Sequence, residues 1–507
     1  MNLILAFLIV AGEILTPAAP RTPRINGARV CGNRPGTEFI YRIPATGDRP
    51  MTFSVDGLPK GLKLDPEKGI IRGTVKKSGS YRLVLHAKNA LGACERELRL
   101  EIGDNCLALT PPLGWNSWNC MAFNFTQEDV TRMADAMVSS GLADYGWSYI
   151  NLDDGWQGRR DPAKGGLQPN DKFPDMKALV EHIHSLGLRA GIYSGPWVAT
   201  YGGYAGSYCD NAQGLYPWIE DGLCKPDTRL RDPSKTAKDY NYPGKYSFVK
   251  QDVRQWAEWG FDYLKYDWFT NDLYHVKEMY DALAACGRSI VYSTSNQAPF
   301  LLAPEYAKYV QCWRTTKDIY DNWESMSAIG FSQDWWAAWR SPGHWPDADM
   351  LVVGRMAWWH KESHPSGLTP DEQYTHISLW ALLSSPMLIG CDLTALDDFT
   401  KGLLTNSEVI DINQDPLGAQ AALYNDTEGC KIYVKPLEDG SLAVGLFNTG
   451  DAEKEIGFKP RGLGFLENVV VRDVWRQQDI RRLAHEDEFR SSVAPHGVVL
   501  LNIRIGE

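Results

Sequence analysis

The densest run of reactive side chains in the chain is Phe261 to Thr270, FDYLKYDWFT. It opens apolar and β-prone at Phe261, Tyr263 and Leu264, then turns polar at Lys265, Tyr266 and Asp267 before aromatics return. That profile predicts a buried parallel strand whose carboxyl end opens into a cavity. An aspartate at such an end, two residues from a lysine, can be a nucleophile held ionised by a nearby cation. The same aspartate could instead cap the next helix or tie down a loop, so its meaning depends on what converges on it.

Several other segments end in the same way. YINLDD closes with Asp153 and Asp154, VQCWRTTKD (310–318) ends with the polar stretch Arg314 to Asp318, and WPDADML carries Asp347 and Asp349. Trp118 and Tyr193 stand at the ends of LGWNSW and RAGIYS. If these are strand ends of one barrel, acids, two cations and aromatics meet at a single mouth. Such a ring is the chemistry of a sugar pocket: carboxylates accept hydrogen bonds from hydroxyls, an aromatic packs on the apolar sugar face, and two acids break the glycosidic bond.

The elements needed to position these residues are legible from about Leu109. Candidate strands at 113–118, 148–154, 189–194, 262–268, 289–295, 310–318, 345–351 and 386–392 alternate with amphipathic stretches. Gln127 to Ser140 is one such helix, with Thr126 as N-cap and Glu128 and Asp129 in the dipole-favoured first turn. Phe173 to Leu186 and Phe248 to Trp259 repeat the pattern. Eight strand-and-helix units predict a (β/α)8 TIM barrel over residues 109–415. Gly195 to Lys245 is too long for a plain connection and is expected to wall the upper face. Residues 24–104 read as short alternating strands parted by turn signals, an antiparallel β-sandwich with no catalytic cluster. Residues 416–507 return to the same rhythm and predict a C-terminal antiparallel β-sandwich.

At 507 residues and 44% hydrophobic, the chain is expected to fold as several domains. A net charge of -11 leaves no basic footprint for nucleic acid. The 19 Trp and 23 Tyr supply rings that suit sugar faces and equally fill cores. Residues 1–20 begin with an apolar run, Leu3 to Val10, and end in Pro17-Ala18-Ala19-Pro20, the pattern of an export signal cleaved near Ala19. No Lys or Arg precedes the run, and Glu13 follows it. No later segment reaches the roughly 18 apolar residues of a membrane span, so export without membrane anchorage, periplasmic or extracellular, is expected. Of ten cysteines, Cys31 with Cys94 and Cys209 with Cys224 are candidate disulfides in an oxidising compartment. The close histidine pairs, His182/His184 and His360/His364, match no metal-site spacing, and neither metal nor cofactor is expected.

PPLGWNSW, YINLDDGWQ, GLRAGIYS, WAEWGFDYLKYDWF, CWRTTKDIYDNW and PGHWPDADMLVVG occur in the order found in glycoside hydrolase family 27, which the chain resembles from about Leu109 to its end. This is the family of α-galactosidases, α-N-acetylgalactosaminidases and a few relatives. Residues 57–92 also resemble the immunoglobulin-like repeats of bacterial surface and carbohydrate-active proteins. The family resemblance implies a retaining exo-hydrolase of terminal α-linked galactose in glycans, with Asp267 as nucleophile and Asp318 as acid/base. It implies sugar contacts from Trp118, Asp153, Asp154, Tyr193, Lys265, Arg314 and Asp349. On this reading Lys265 keeps Asp267 ionised while Asp318 holds a raised pKa. Asp321 is the rival acid/base, with helix capping as its other role. Cysteines that many relatives carry after the strand-2 acids and past the nucleophile are replaced by Gly155 and by Trp268-Phe269. At the fifth strand end, Ser295 and Ala298 resemble the small pair that makes room for an acetamide in N-acetylgalactosaminidases. The alternatives are therefore α-N-acetylgalactosaminidase, β-L-arabinopyranosidase, or a non-catalytic carbohydrate-binding protein.

Overall fold

The computed structural model describes residues 12–216, 237–357 and 362–506. At its centre, eight parallel strands curl into a barrel: Leu113–Asn116, Tyr149–Asn151, Arg189–Ser194, Tyr263–Asp267, Val291–Ser295, Cys312–Arg314, Trp345–Asp347 and Met387–Ile389, here barrel strands one to eight. Their hydrogen-bonded order is seven-six-five-four-three-two-one-eight. Closure comes just past strand seven, where Leu351 bridges Ile389 in parallel. Most strands are shorter than the sequence pattern predicts. The first stops at Asn116, and Trp118 opens a short helix, Trp118–Met121, rather than ending the strand. The sixth stops at Arg314, four residues before Asp318. A barrel strand need only cross the core, and the polar residues beyond it belong to the loops that build a mouth.

Helices cover the outside as the patterning predicts. Gln127–Ser139 begins with a capping box in which Thr126 and Asp129 satisfy each other's backbone N–H. Asp175 caps Met176–Ser185, and Val249–Trp259 follows Phe248. Inside the barrel, Tyr149, Tyr263, Val291, Cys312 and Trp345, each the first residue of its strand, pack into one apolar cluster with Leu107. This layer plugs the amino-terminal end, so polar side chains one and two layers higher can face only the opposite mouth.

The N-terminal domain has a four-stranded sheet (Val30–Asn33, Thr52–Asp56, Gly79–Asn89, Gly92–Ile102) against a three-stranded one (Glu38–Arg42, Leu62–Asp65, Ile70–Thr74). Their inner faces share a core that includes Phe39, Ile71, Leu83 and Leu100. The C-terminal domain has a six-stranded antiparallel sheet and a strand pair, Lys454–Phe458 with Phe489–Val493. The strands Gln478–Leu483 and Phe489–Val493 lack a clear sequence signal: the first is charged and exposed, and the second has an apolar residue only at each end, Phe489 and Val493, both buried.

The expected Cys31–Cys94 disulfide is absent. Cys31 and Cys94 are free thiols. Cys31 pairs with Leu100 across parallel strands, so Cys94 lies six residues farther along, roughly 20 Å at 3.3 Å per residue, well beyond disulfide reach. Cys209 is also a free thiol, donating to the Leu215 carbonyl at 3.3 Å, and Cys224 lies outside the described residues. So do His360 and the apolar run Leu3 to Val10. The chain after that run is docked on the barrel: Leu15 N–H donates to Tyr374 Oη at 2.9 Å, Tyr374 Oη donates to the Glu13 carbonyl at 2.8 Å, and Thr16 Oγ1 donates to the Gly402 carbonyl at 2.8 Å. Among the described residues no helix is long and apolar enough to cross a membrane.

Candidate active site

Parallel register sets the site. Tyr193, Lys265 and Ser293 lie side by side on strands three, four and five, and one step higher Asp267 is level with Ser295. Alternation along strand four turns Tyr263, Lys265 and Asp267 to the same side, while Leu264 and Tyr266 join the core shared with the outer helices. Asp267 is buried. Its Oδ2 accepts a hydrogen bond from Tyr193 Oη at 3.0 Å, and its Oδ1 accepts one from Asn296 Nδ2 at 2.5 Å. Burial lifts its carboxyl to about 6; Lys265 opposes that lift, and the charges of Asp318 and Asp153 add to it.

Lys265 makes its ion pair elsewhere than expected. Its Nζ bonds Asp153 Oδ2 at 2.7 Å, an oxygen that also accepts from Asn116 Nδ2 at 2.9 Å. Lys265 therefore acts on Asp267 only through space. Asp153 Oδ1 accepts the N–H of Asp154 at 2.8 Å. Asp154 is turned toward the loop after strand three: Oδ1 accepts from Thr200 Oγ1 at 2.9 Å and Gln157 Nε2 at 3.1 Å, and Oδ2 from Gly202 N–H at 2.6 Å. Burial pushes Asp154 up to about 7 despite these donors.

Across the mouth, Arg314 holds two acids. Nη2 reaches Asp318 Oδ1 at 3.0 Å and Nη1 reaches Asp349 Oδ1 at 2.9 Å. Asp349 is fixed further by Ile319 N–H on its Oδ2 at 2.7 Å, and its backbone lies in the left-handed region at φ 83°. Asp347 is buried and raised to about 6. The Asp318 side chain is 44% exposed and faces the opening. Arg314 and Lys265 outweigh what desolvation it suffers and hold its carboxyl below the ordinary value. The expected order of the two carboxyls is thus reversed in the unliganded protein: Asp267 is the raised one and Asp318 the lowered one. The physical reason is placement, because the guanidinium sits on Asp318 while the deeper Asp267 has only neutral donors.

Asp153, Asp154, Tyr193, Lys265, Ser295, Arg314 and Asp349 are linked with Asp267 and Asp318 by the register and bonds of this network, and Trp118 joins it only through its backbone and Asn116. Trp118 is buried, and its backbone N–H donates to Asn116 Oδ1 at 2.9 Å. Ser295 and Ala298 are both buried, with Ser295 Oγ 3.5 Å from Arg314 Nη1. Asp321 stands apart. It accepts from His364 Nε2 at 3.2 Å and Gly367 N–H at 2.9 Å, tying two loops together. The cap of the next helix, Trp323–Gly330, is Asn322 rather than Asp321. The residue that sequence reasoning missed is Asn296. It and Gln297 follow strand five in left-handed conformations, φ 67° and 47°, which aim the amide back at Asp267. An isolated Asn after a strand carries no pattern that separates it from a turn residue.

Family models match most of the chain. "Alpha galactosidase A" covers residues 110–241 and 231–415, "Alpha galactosidase C-terminal beta sandwich domain" covers 427–503, and an Ig-domain model covers 22–99. An alpha-galactosidase of Cyamopsis tetragonoloba is 36% identical over 75% of this chain and 82% of its own. Alpha-galactosidase A of Cellvibrio japonicus is 36% identical over 69% of this chain and 79% of its own. Among solved structures, a Bacteroides fragilis protein proposed to be an alpha-galactosidase/melibiase superposes with a TM-score of 0.84 at 33% identity, over 97% of this chain and all of that one.

Proposed function

The chain belongs to the α-galactosidase family, glycoside hydrolase family 27, and from that membership we propose that it releases terminal α-linked galactose with net retention. The observation that carries the reading is Asp267 at the end of strand four, with a donor on each oxygen and in the electrostatic reach of both Lys265 and Asp318. Asp267 attacks the anomeric carbon while Asp318 gives its proton to the departing oxygen. Asp318 then takes a proton from the water that opens the glycosyl ester. Arg314 and Lys265 offer N–H donors to ring hydroxyls, and Asp153 offers acceptors. Sugar hydroxyls that draw Arg314 toward the ring would weaken its hold on Asp318 and let that carboxyl keep the proton it must donate. The test is Asp267→Asn with 4-nitrophenyl α-galactoside: turnover should fall by at least about 10³-fold with an unchanged melting temperature. Activity near the wild-type level would remove Asp267 as nucleophile. The proton NMR signal of the first-formed sugar reports its anomeric configuration, and a β product would refute retention.

A second reading rests on Ser295 and Ala298, two small buried side chains beside Arg314 at the end of strand five. They leave room for a substituent larger than hydroxyl at C2. Turnover of the 2-acetamido aryl glycoside above that of the plain galactoside would make the chain an α-N-acetylgalactosaminidase.

A further inference from the structure

Among the described residues, several large aromatic side chains stay exposed on the loops that leave the catalytic strands, Tyr201, Phe269 and Tyr320 among them. Tyr201 follows strand three and is 37% exposed; Phe269 and Tyr320 are each 53% exposed and lie two residues past Asp267 and Asp318. Tyr201 is held in place from every side. It sits at the tip of a hairpin in which Ala199 bridges Ala205 and Thr200 N–H donates to the Tyr204 carbonyl at 2.8 Å. Asn241 Nδ2 donates to the carbonyls of Ala199 and Thr200 at 2.9 and 3.2 Å. Asp154 accepts from both residues that flank Tyr201, Thr200 and Gly202. The ring packs edge-on against Trp197 with centroids 4.9 Å apart. The two bonds to Asp154 set Tyr201 beside the acids at the end of strand two, and burial, then the charges of Asp267 and Asp318, push its phenol pKa up.

Strands three and four are neighbours, and their loops leave the barrel side by side. They run so close that a Cβ on Gly195 would lie 2.5 Å from the Asp267 carbonyl oxygen. One of these loops carries Tyr201, the other Phe269. The geometry points to an aromatic subsite at the mouth, formed by Tyr201 and Phe269 with Tyr320 on the acid's flank, that holds the leaving-group sugar against the catalytic pair. This rests on the glycosidase reading of the same mouth. The galactosyl ring fills the polar pocket below, so the group that departs must lie outside it, beside the carboxyl that protonates its oxygen. A pyranose there presents an apolar C–H face, and a ring fixed before binding takes it with little ordering cost. Asp154 becomes a positioning residue as well as a wall of the pocket, since it fixes the hairpin that carries Tyr201.

The test uses two substrates that differ only in what departs. α-Galactosyl fluoride loses a single atom and needs no such subsite, whereas melibiose loses glucose. In the full chain, Tyr201→Ala and Phe269→Ala should each lower kcat/KM for melibiose about tenfold, mainly through KM. Hydrolysis of the fluoride should fall clearly less than that of melibiose, because its leaving atom reaches neither side chain. An equal loss on both substrates, or no loss on melibiose, overturns the subsite alone. If the wild-type protein cleaves neither compound, the galactosidase reading fails and the subsite falls with it.

Discussion

At Asp267 burial raises the carboxyl, Lys265 lowers it through space, and the hydrogen bonds from Tyr193 and Asn296 stabilise its ionised form. The pair with Asp318 therefore titrates in two separated steps, a lower one where Arg314 and Lys265 favour the ionised Asp318 and an upper one near 6. Only the singly protonated pair has both a nucleophile and a proton to give. Below the lower step no carboxylate remains, and above the upper step no proton remains for the leaving oxygen. Because the steps belong to the pair, this holds whichever carboxyl carries the proton in the free protein. The pH profile of kcat/KM should be a bell on the acid side, with its alkaline limb near 6. Asn296→Ala removes a donor to the ionised form, so Asp267 becomes harder to ionise and that limb moves upward by about one pH unit. A merely structural role for Asn296 would lower the amplitude and leave the limb in place. This residue was invisible in the sequence because its contribution depends on two consecutive left-handed backbone positions. Asp267 was legible because it closes a short strand, whereas Asp318, four residues past its strand, was legible only through the family resemblance of the motif that carries it.

Among the elements, those that alternate or carry one apolar face could be read directly, and their caps with them. The helix Pro370–Leu383 could not: twelve of its fourteen residues are buried, including Glu372, Gln373 and His376, so no polar face marks its period. It is buried all round because the C-terminal sheet packs over its outer side, and Lys435 from that sheet is wholly buried at this junction. Lys435 Nζ lies 2.6 Å from Ser384 Oγ, 3.2 Å from the Ala381 carbonyl and 2.5 Å from the Ile412 carbonyl, with no carboxylate in salt-bridge contact among the described residues. Burial and the nearby Arg340 lower its pKa, Asp415 pulls the other way, and the result is about 7. Between pH 7 and 10 the unfolded chain keeps this proton and the folded one does not, so stability from this site rises with pH and the benefit disappears below 7. The slope approaches 1.4 kcal/mol per pH unit at most. Urea denaturation of wild type and Lys435→Met across that range should show the difference between them growing with pH. Parallel curves would mean that Lys435 is charged in the folded protein throughout.

For the molecule as a whole, the polar mouth and the N-terminal domain lie at opposite ends of the barrel. Arg34 donates to the Leu283 carbonyl at 3.0 Å, and Thr37 and Ser289 share a hydrogen bond at 2.7 Å. Arg189 Nη2 donates to the Ile40 carbonyl at 3.0 Å from the amino-terminal end of strand three. Arg288 bridges Glu38 at 3.0 Å and Asp262 at 2.6 Å. The immunoglobulin-like domain thus closes the floor under the apolar plug, where a barrel's conserved task is stability, while chemistry belongs to the other end. The sequence marked this domain as one without a catalytic cluster, but which face it would cover depends on contacts that no local pattern records. Glu38→Ala leaves Arg288 paired with Asp262 and removes both the bond across the domain junction and the Glu38–Arg72 ion pair within the N-terminal domain. It should cost about 1 kcal/mol, lowering the melting temperature by roughly 2 °C. Arg72 and Arg288 outweigh burial and hold the Glu38 carboxyl below its ordinary value, so that cost should be present at pH 7 and shrink as the pH falls below about 4. Because the altered bond lies beneath the plug, kcat/KM measured well below the melting temperature should match the wild type within about twofold. A marked loss of activity without loss of stability would mean that the floor and the mouth of the barrel are mechanically linked, and that this domain does more than close the base.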